Sequence, residues 1–490
     1  MSVSGLEKKL RTHIEGEVFS SQKQLQAYCQ DESIFSIEPQ YVVSPKHTQD
    51  VISLVALSQE YKTPITARGG GTGVAGQSIG SGLIVDFSTH MNSLLDLSTN
   101  FAWVQPGVIL EELNRKLHLQ GLFFAPDPGS KKRCSIGGMV STNASGPHHL
   151  FYGNTRDNIL DLEWIGHDQK MVSLNQEKKT LAGLQALMDR NLATTSSIPD
   201  VAKNSSGYYI QNIFSQDAKL SDVICGSEGT LGLISSIQCR LSPLPKHRSF
   251  AAFSFSSVEE AIEKVEELKS TKASAIELID LWILEALKSK DERMIEEMGL
   301  AHAKASLWVE WEEELSSLHL PSKVFSTGNA DMISSIWNFR SQSSKIIHAL
   351  AKERHPLRCI EDACLPLAKL PEYIKEVEEL LRTFDCEGPM FGHVGDGHLH
   401  INPQIDVGQN QLSQHVQKLM EEFYRIVLSY GGSISGEHGD GMLRAPYVRK
   451  QWASQLDQFA VVKNFFDPFC QFNPGKIITE GNDFPLKAYT

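Results

Sequence analysis

Apolar positions along this chain change rhythm several times, and each change predicts a different kind of structure. Leu6, Leu10 and Ile14 recur at helical spacing in a charged lead-in over residues 1–37. From Tyr41 the pattern becomes strand, helix, strand. The strands are Tyr41-Val42-Val43 and Ile65-Thr66-Ala67-Arg68, flanking a helix over 48–61 that carries Val51, Ile52, Val55 and Leu57. Short β-branched runs separated by glycines then continue to about residue 245, among them Leu83–Phe87 and Leu231–Ile234, which predicts mixed sheet with glycine turns.

Pro243-Leu244-Pro245 marks a boundary, because two prolines interrupt both ladders and helices. Beyond it come a strand at 250–255, a helix at 257–270 with Val258, Ala261, Ile262, Val265 and Leu268 on one face, a strand at 305–311 and a helix at 371–383. This alternation predicts an antiparallel sheet covered by helices on one side. The expected segments are the lead-in at 1–37, a first domain at 38–245, a second at 246–435, and a C-terminal segment at 436–490 that returns to the first domain.

A chain of 490 residues suits two large domains. Lys and Arg number 46 against 59 Asp and Glu, a net charge of −13 that argues against a general nucleic-acid-binding surface. No run of about 18 apolar residues predicts a membrane span, and the N-terminus lacks the apolar core of a secretory signal. The eight cysteines form no CxxC pair, so no iron–sulfur cluster or zinc ribbon is expected and the thiols read as reduced. The expected location is cytoplasmic, with peripheral contact at the inner face of a membrane left open.

Two glycine-rich segments carry candidate chemistry. The first is Gly392-His393-Val394-Gly395-Asp396-Gly397-His398-Leu399-His400, and the second is Gly436-Glu437-His438-Gly439-Asp440-Gly441. Asp396-Gly397 is a favoured two-residue hairpin turn. A hairpin closed there pairs 393 with 400 and sets the two imidazoles on one face, Cβ atoms roughly 5 Å apart. Glu437 adds a carboxylate, and a fourth position stays open for substrate, the pattern of a catalytic zinc or other divalent site. His398 shares the face of His400 and is a rival ligand.

Arg68-Gly69-Gly70-Gly71-Thr72-Gly73-Val74-Ala75-Gly76 contains a G-x-G-x-x-G, but no helix is expected to follow it, so the nicotinamide-type reading fails on context. Consecutive glycines still form a nest of N–H groups suited to a pyrophosphate. Six further motifs follow in order. They are Pro126–Ser130, Ser135–Gly146, Tyr152–Asp157, Lys203–Tyr208, Gly226–Gly232 and Asp467–Lys476. From about Asp31 to Ile477 the series resembles the FAD-linked oxidases of the vanillyl-alcohol oxidase superfamily, in the D-2-hydroxyacid dehydrogenase branch.

The resemblance implies an α+β fold: a two-part FAD-binding domain with a cap domain. It maps FAD binding, without a covalent tether, onto Arg68, Gly69, Gly70, Gly71, Thr72, Gly73, Gln77, Pro126, Ser135, Gly138, Asn143, Gly229, Gly232, Ile234 and Asn473. It matches His393, His400 and Glu437 to metal ligands and His438 to the catalytic base. A substrate-clamping Arg with a hydroxyl four residues later fits Arg340 and Ser344. Asn402 is placed to bond the same substrate end. Ile360 stands where relatives that bind a second carboxylate have Lys, with Arg358 close by. His398 replaces a usual Asn, and Asp440 stands where Ile is common.

The expected reaction is oxidation of a D-2-hydroxyacid, D-lactate-like or D-2-hydroxyglutarate-like, to the 2-oxoacid. The metal polarises the 2-hydroxyl, His438 takes its proton and a hydride passes to flavin N5. Electrons then leave to a separate quinone, electron-transfer flavoprotein or iron–sulfur subunit, and a homodimer is compatible. The alternatives are a glycolate-oxidase-type subunit of a larger complex and a non-redox flavin transferase of the same superfamily.

Overall fold

The computed structural model describes residues 5–189, 198–320, 324–350, 354–479 and 484–488. Strands Tyr41–Ser44, Leu83–Asp86 and Ile65–Arg68 lie side by side in that order and in parallel, with Glu17–Phe19 antiparallel on the outer edge. The helix Thr48–Tyr61 makes the crossover and buries Val51, Leu54, Val55 and Leu57. Strand and helix alternate here as the apolar pattern predicts. A second, antiparallel sheet runs Leu94–Leu97, Phe101–Val104, Leu233–Arg240, Ile159–Ile165, Met171–Ser173.

The third sheet is antiparallel, in the order Ala275–Asp280, Ala305–Trp311, Ser249–Phe255, Phe325–Thr327. Helices cover both of its faces, where the sequence suggested one. Ile276, Leu278, Leu307 and Val309 pack with Ala261, Ile262, Val265 and Leu268. Ile279, Trp308 and Phe250 pack instead with Ile283, Leu287, Ile333 and Ile336. A strand buried on both faces reads as a continuous apolar run, and Ala305–Trp311 has every residue buried. The expected helix at 257–270 is two, Val258–Glu263 and Val265–Ser270, meeting at Lys264.

The C-terminal tail crosses back to the first sheet. The Ile65 N–H donates to Gln471 O and the Asn473 N–H to Ile65 O, each at 2.7 Å, so the tail extends the sheet edge beside Ile65–Arg68. Asn473 is buried, with a φ of 41°. Its amide nitrogen donates to Gln77 O at 2.9 Å and Glu228 O at 2.7 Å, while Thr66 Oγ1 donates to its oxygen at 3.0 Å. Asn473 thus ties the tail to two loops that line the main cleft.

Truncating this amide breaks all three bonds and strands two carbonyls. At about 1 kcal/mol per bond, Asn473→Ala is expected to lower stability by about 3 kcal/mol. An earlier midpoint in denaturant unfolding checks it.

Candidate active site

One cleft of about 1830 Å³ runs from the glycine loop at 69–73 to the histidines at 393, 400 and 438. At the glycine end the backbone approaches closely. A Cβ on Gly69 would sit 1.9 Å from Ser135 Oγ, and one on Gly70 would sit 1.9 Å from Arg133 O, so only glycine lets this loop lie against 133–138. Arg68, Gly69, Gly70, Gly71, Thr72, Gly73, Gln77, Ser135, Gly138, Gly229, Gly232 and Ile234 all line the cleft. Arg68 also braces the loop, donating to Gln30 O at 2.8 Å and Ser78 O at 3.2 Å. Pro126, Asn143 and Asn473 are buried outside the lining. The Asn143 oxygen accepts from Arg156 N–H at 2.9 Å, and its buried amide nitrogen has no partner among the described residues.

At the other end the histidine segment is not the tight hairpin that Asp396-Gly397 suggests. His400 pairs with Phe391, not with His393. Val394–Asp396 forms a single 3-10 turn, and only Gly397, at φ 72°, takes the left-handed conformation. The cause lies in the cap sheet. Gly392 exchanges both backbone hydrogen bonds with Leu278, at 2.8 and 3.1 Å, which draws 392–397 off the hairpin ladder. The longer loop still delivers the side chains, with the His393 and His400 rings 5.3 Å apart between centroids.

They converge on Glu437. Its Oε1 lies 3.1 Å from His393 Nε2 and 3.6 Å from the Nε2 of both His400 and His438. Its Oε2 accepts from Ser145 Oγ at 2.7 Å and Lys203 Nζ at 3.0 Å. Burial alone raises the pKa of Glu437, but the charges of Lys203 and His393 outweigh it and hold the carboxyl well below its ordinary range. Ligand atoms from His393, His398, His400 and Glu437 all lie within 4.8 Å of one another, a donor set and spacing that fit a divalent cation. His398 turns Nε2 toward Asp362 Oδ1 at 2.9 Å and leaves Nδ1 without a partner among the described residues.

Asp362, which sequence reasoning missed, anchors the loop that carries Glu437. Its carboxylate accepts from the Glu437 N–H at 3.1 Å, the His438 N–H at 3.0 Å and Ser435 Oγ at 2.6 Å. Its backbone sits at φ 81° in a fully buried position, a strained placement that this network over-determines. From the opposite side the Gln77 amide donates to His438 O, tying the glycine loop to the histidine loop. Neighbouring Glu361 places Oε2 2.7 Å from His438 Nδ1 and 3.5 Å from His400 Nδ1, and pairs with Arg444.

These surroundings set His400 and His438 apart. Burial, with His398 and His438 nearby, pulls His400 down to about 3, so it is neutral at pH 7. Burial also pulls on His438, but Glu361 and Asp362 raise it to about 9. Arg340 and Asn402 line the same end of the cleft, as does Arg358, whose Nη1 lies 3.2 Å from Glu32 Oε2. The side chain of Ser344 lies outside the described residues. Glu361, Asp362, Lys203 and Glu277 complete the site unannounced by any motif used above, although Lys203 opens one of the six.

Residues 39–175 match the FAD binding domain model, and residues 244–477 match the model for the C-terminal domain of FAD linked oxidases. A D-2-hydroxyglutarate dehydrogenase of Haemophilus influenzae is 27% identical, over 95% of this chain and 50% of the relative. This chain spans about half the length of that relative. A D-lactate dehydrogenase of Archaeoglobus fulgidus is 27% identical over 89% of this chain and 91% of its own length. The solved structure of 4-ethylphenol oxidase from Gulosibacter chungangensis shares the fold, with a TM-score of 0.69 at 14% identity over 97% of this chain and 98% of that one. The α+β architecture, an FAD-binding domain of the vanillyl-alcohol oxidase type followed by a cap, and both matched domain models agree: the chain belongs to the FAD-linked oxidases.

Proposed function

We propose that this protein is an FAD-dependent dehydrogenase that oxidises a D-2-hydroxyacid to its 2-oxoacid at a divalent-cation site. The observation that carries the reading is the convergence of His393, His400 and His438 on one oxygen of Glu437, in the cleft that the glycine loop also lines. The names of the relatives, a D-2-hydroxyglutarate and a D-lactate dehydrogenase, support the substrate class. The fitting ligands are His393, His400 and Glu437, with Zn²⁺ the ion best matched to two imidazoles and a carboxylate. The FAD is held without a covalent bond.

When bound, the flavin supplies a hydride acceptor, and the cation supplies a Lewis acid at the 2-hydroxyl and a positive charge that draws the His438 pKa back toward neutrality. The protein's own residues do the rest. Glu361 faces His438 Nδ1, so the proton resides there and Nε2 keeps its lone pair toward the cleft. Nε2 is therefore the atom that takes the 2-hydroxyl proton. Arg340 grips the substrate carboxylate by a charge-assisted contact, and Asn402 bonds the same end. Arg358, two residues before the position where relatives that bind a second carboxylate carry Lys, is the residue offered for such a group, and electrons leave to a separate acceptor.

The purified protein is expected to be yellow, to release FAD on acid precipitation, and to bleach anaerobically with D- but not L-2-hydroxyacids. Flavin retained on the precipitated chain, or bleaching by no member of a D- and L-2-hydroxyacid panel, would sink the reading. His393→Ala and His400→Ala should each strip the metal while FAD stays bound, because two remaining ligands hold the ion poorly. Elemental analysis alongside the flavin spectrum checks this.

His438→Ala should slow flavin reduction by about 10²–10⁴-fold with metal and FAD retained, the usual span for a positioned acid–base group. A base works only when deprotonated, so the wild-type rate rises with pH through the ionisation of His438 and the variant loses that limb. Stopped-flow reduction across pH decides it; loss of metal in the variant would make His438 a ligand instead.

A further inference from the structure

Every residue of the strand Ala275–Asp280 is buried, yet Glu277 stands between Ile276 and Leu278 with no exposure at all. A carboxylate in such a place persists only when its charge is matched. It lies on the same sheet face as Ile279, toward the helix Ala330–Arg340. Its two oxygens go to two different functional groups. Oε2 accepts from Arg340 Nη2 at 2.6 Å, and Oε1 meets His393 Nδ1 in a short contact. On the far side of the His393 ring, Nε2 points at Glu437 Oε1 at 3.1 Å.

Arg340 is otherwise lightly held. It ends its helix, leans on the Phe391 ring at 5.3 Å, and its buried Nε has no partner among the described residues. The other buried cations of the cluster are committed elsewhere, Lys203 to Glu437 and Arg444 to Glu361. From this arrangement we infer that Glu277 is a positioning residue that couples the substrate-carboxylate clamp to the cation site: one oxygen fixes the tautomer of His393 and aims its Nε2 at the cation, while the other holds the Arg340 guanidinium over the cleft. The inference rests on the proposed roles of Arg340 and His393. Carboxylates behind metal-bound histidines commonly fix ring orientation in this way; here the same carboxylate also sets the group that binds substrate.

Three variants of the FAD-loaded protein separate this role from a merely structural one. Two quantities are read: Zn²⁺ affinity by chelator competition, and the KM and kcat for the D-2-hydroxyacid that bleaches the flavin fastest. Glu277→Leu removes both contacts, and Zn²⁺ affinity should fall about 10–100-fold, as for lost partners of this kind, with a raised KM. Glu277→Gln keeps an oxygen for His393 Nδ1–H but loses the charge that holds Arg340. Its Zn²⁺ affinity should fall less than about tenfold while KM rises about tenfold or more with kcat nearly kept, the signature of lost uniform binding. Arg340→Met should raise KM and leave Zn²⁺ affinity unchanged.

Wild-type Zn²⁺ affinity in Glu277→Leu, or wild-type KM in Glu277→Gln, would overturn the coupling. If Glu277→Leu fails to fold, the near-isosteric Gln variant decides through KM alone. An unchanged KM in Arg340→Met would instead refute the clamp, and absence of Zn²⁺ binding to the wild type would refute the metal reading and the coupling with it.

Discussion

Burying four carboxylates in one cluster is the constraint around which the histidine end of the cleft is built. Glu277, Glu361, Asp362 and Glu437 are each at most 6% exposed. Taking such charges out of water is costly unless cations and N–H donors meet them. Arg340 and His393 meet Glu277, Arg444 and His438 meet Glu361, and Lys203 and Ser145 meet Glu437. Asp362 lies beside the charges of His438 and Arg444 and also takes two backbone N–H groups, a hydroxyl and His398. Burial pushes each of these acids up and its partners more than reverse the effect, so Glu277 and Asp362 come to about 2.

The partners come from distant parts of the chain, and this is how local chemistry turns into global architecture. Ser145 lies within the stretch matched by the FAD binding domain model, Lys203 follows it, and Glu277, Arg340 and Glu437 lie within the stretch matched by the C-terminal domain model. Removing Lys203 takes from Glu437 the only Lys or Arg paired with it among the described residues, and removing Arg340 or Arg444 leaves Glu277 or Glu361 with histidine partners alone. Gln77 closes the circuit by joining the glycine loop to the backbone of His438. The glycine-loop end and the histidine end of the cleft therefore cannot shift independently without breaking a hydrogen bond.

Local order was readable from residues wherever it depends on neighbours in sequence. The helix over 48–61 and the strand over 305–311 fall where periodicity puts them. Reading failed where a distant partner decides. The two-residue hairpin is a sound local preference, but Gly392 bonds to Leu278, more than a hundred residues earlier, and the turn opens. Glu361 and Asp362 have no motif because their partners begin some forty residues away. A signal for Glu277 did exist: an acid inside the apolar run Ala-Ile-Glu-Leu-Ile is unexpected in a buried strand. Glu310 in Leu-Trp-Val-Glu-Trp is the same anomaly, and it too is buried against a cation, Arg248.

One residue type fills unlike positions in this cleft, and neighbours alone distinguish them. His400 meets burial and two other imidazoles, stays neutral and keeps the lone pair that a ligand needs. His438 is less enclosed, and although burial opposes its charge, Glu361 and Asp362 face it and favour the proton, raising it to about 9. His148 lies between Asp127 Oδ2 at 2.7 Å and Glu310 Oε1 at 3.4 Å; burial opposes its charge, but the two acids win and raise it to about 10. A histidine that stays protonated across the physiological range can neither bind a cation nor take a proton. It can hold two acids together, and here one belongs to the loop before it and the other to the cap sheet. Counting histidines along the chain therefore could not assign these roles, because the carboxylates that assign them arrive only on folding.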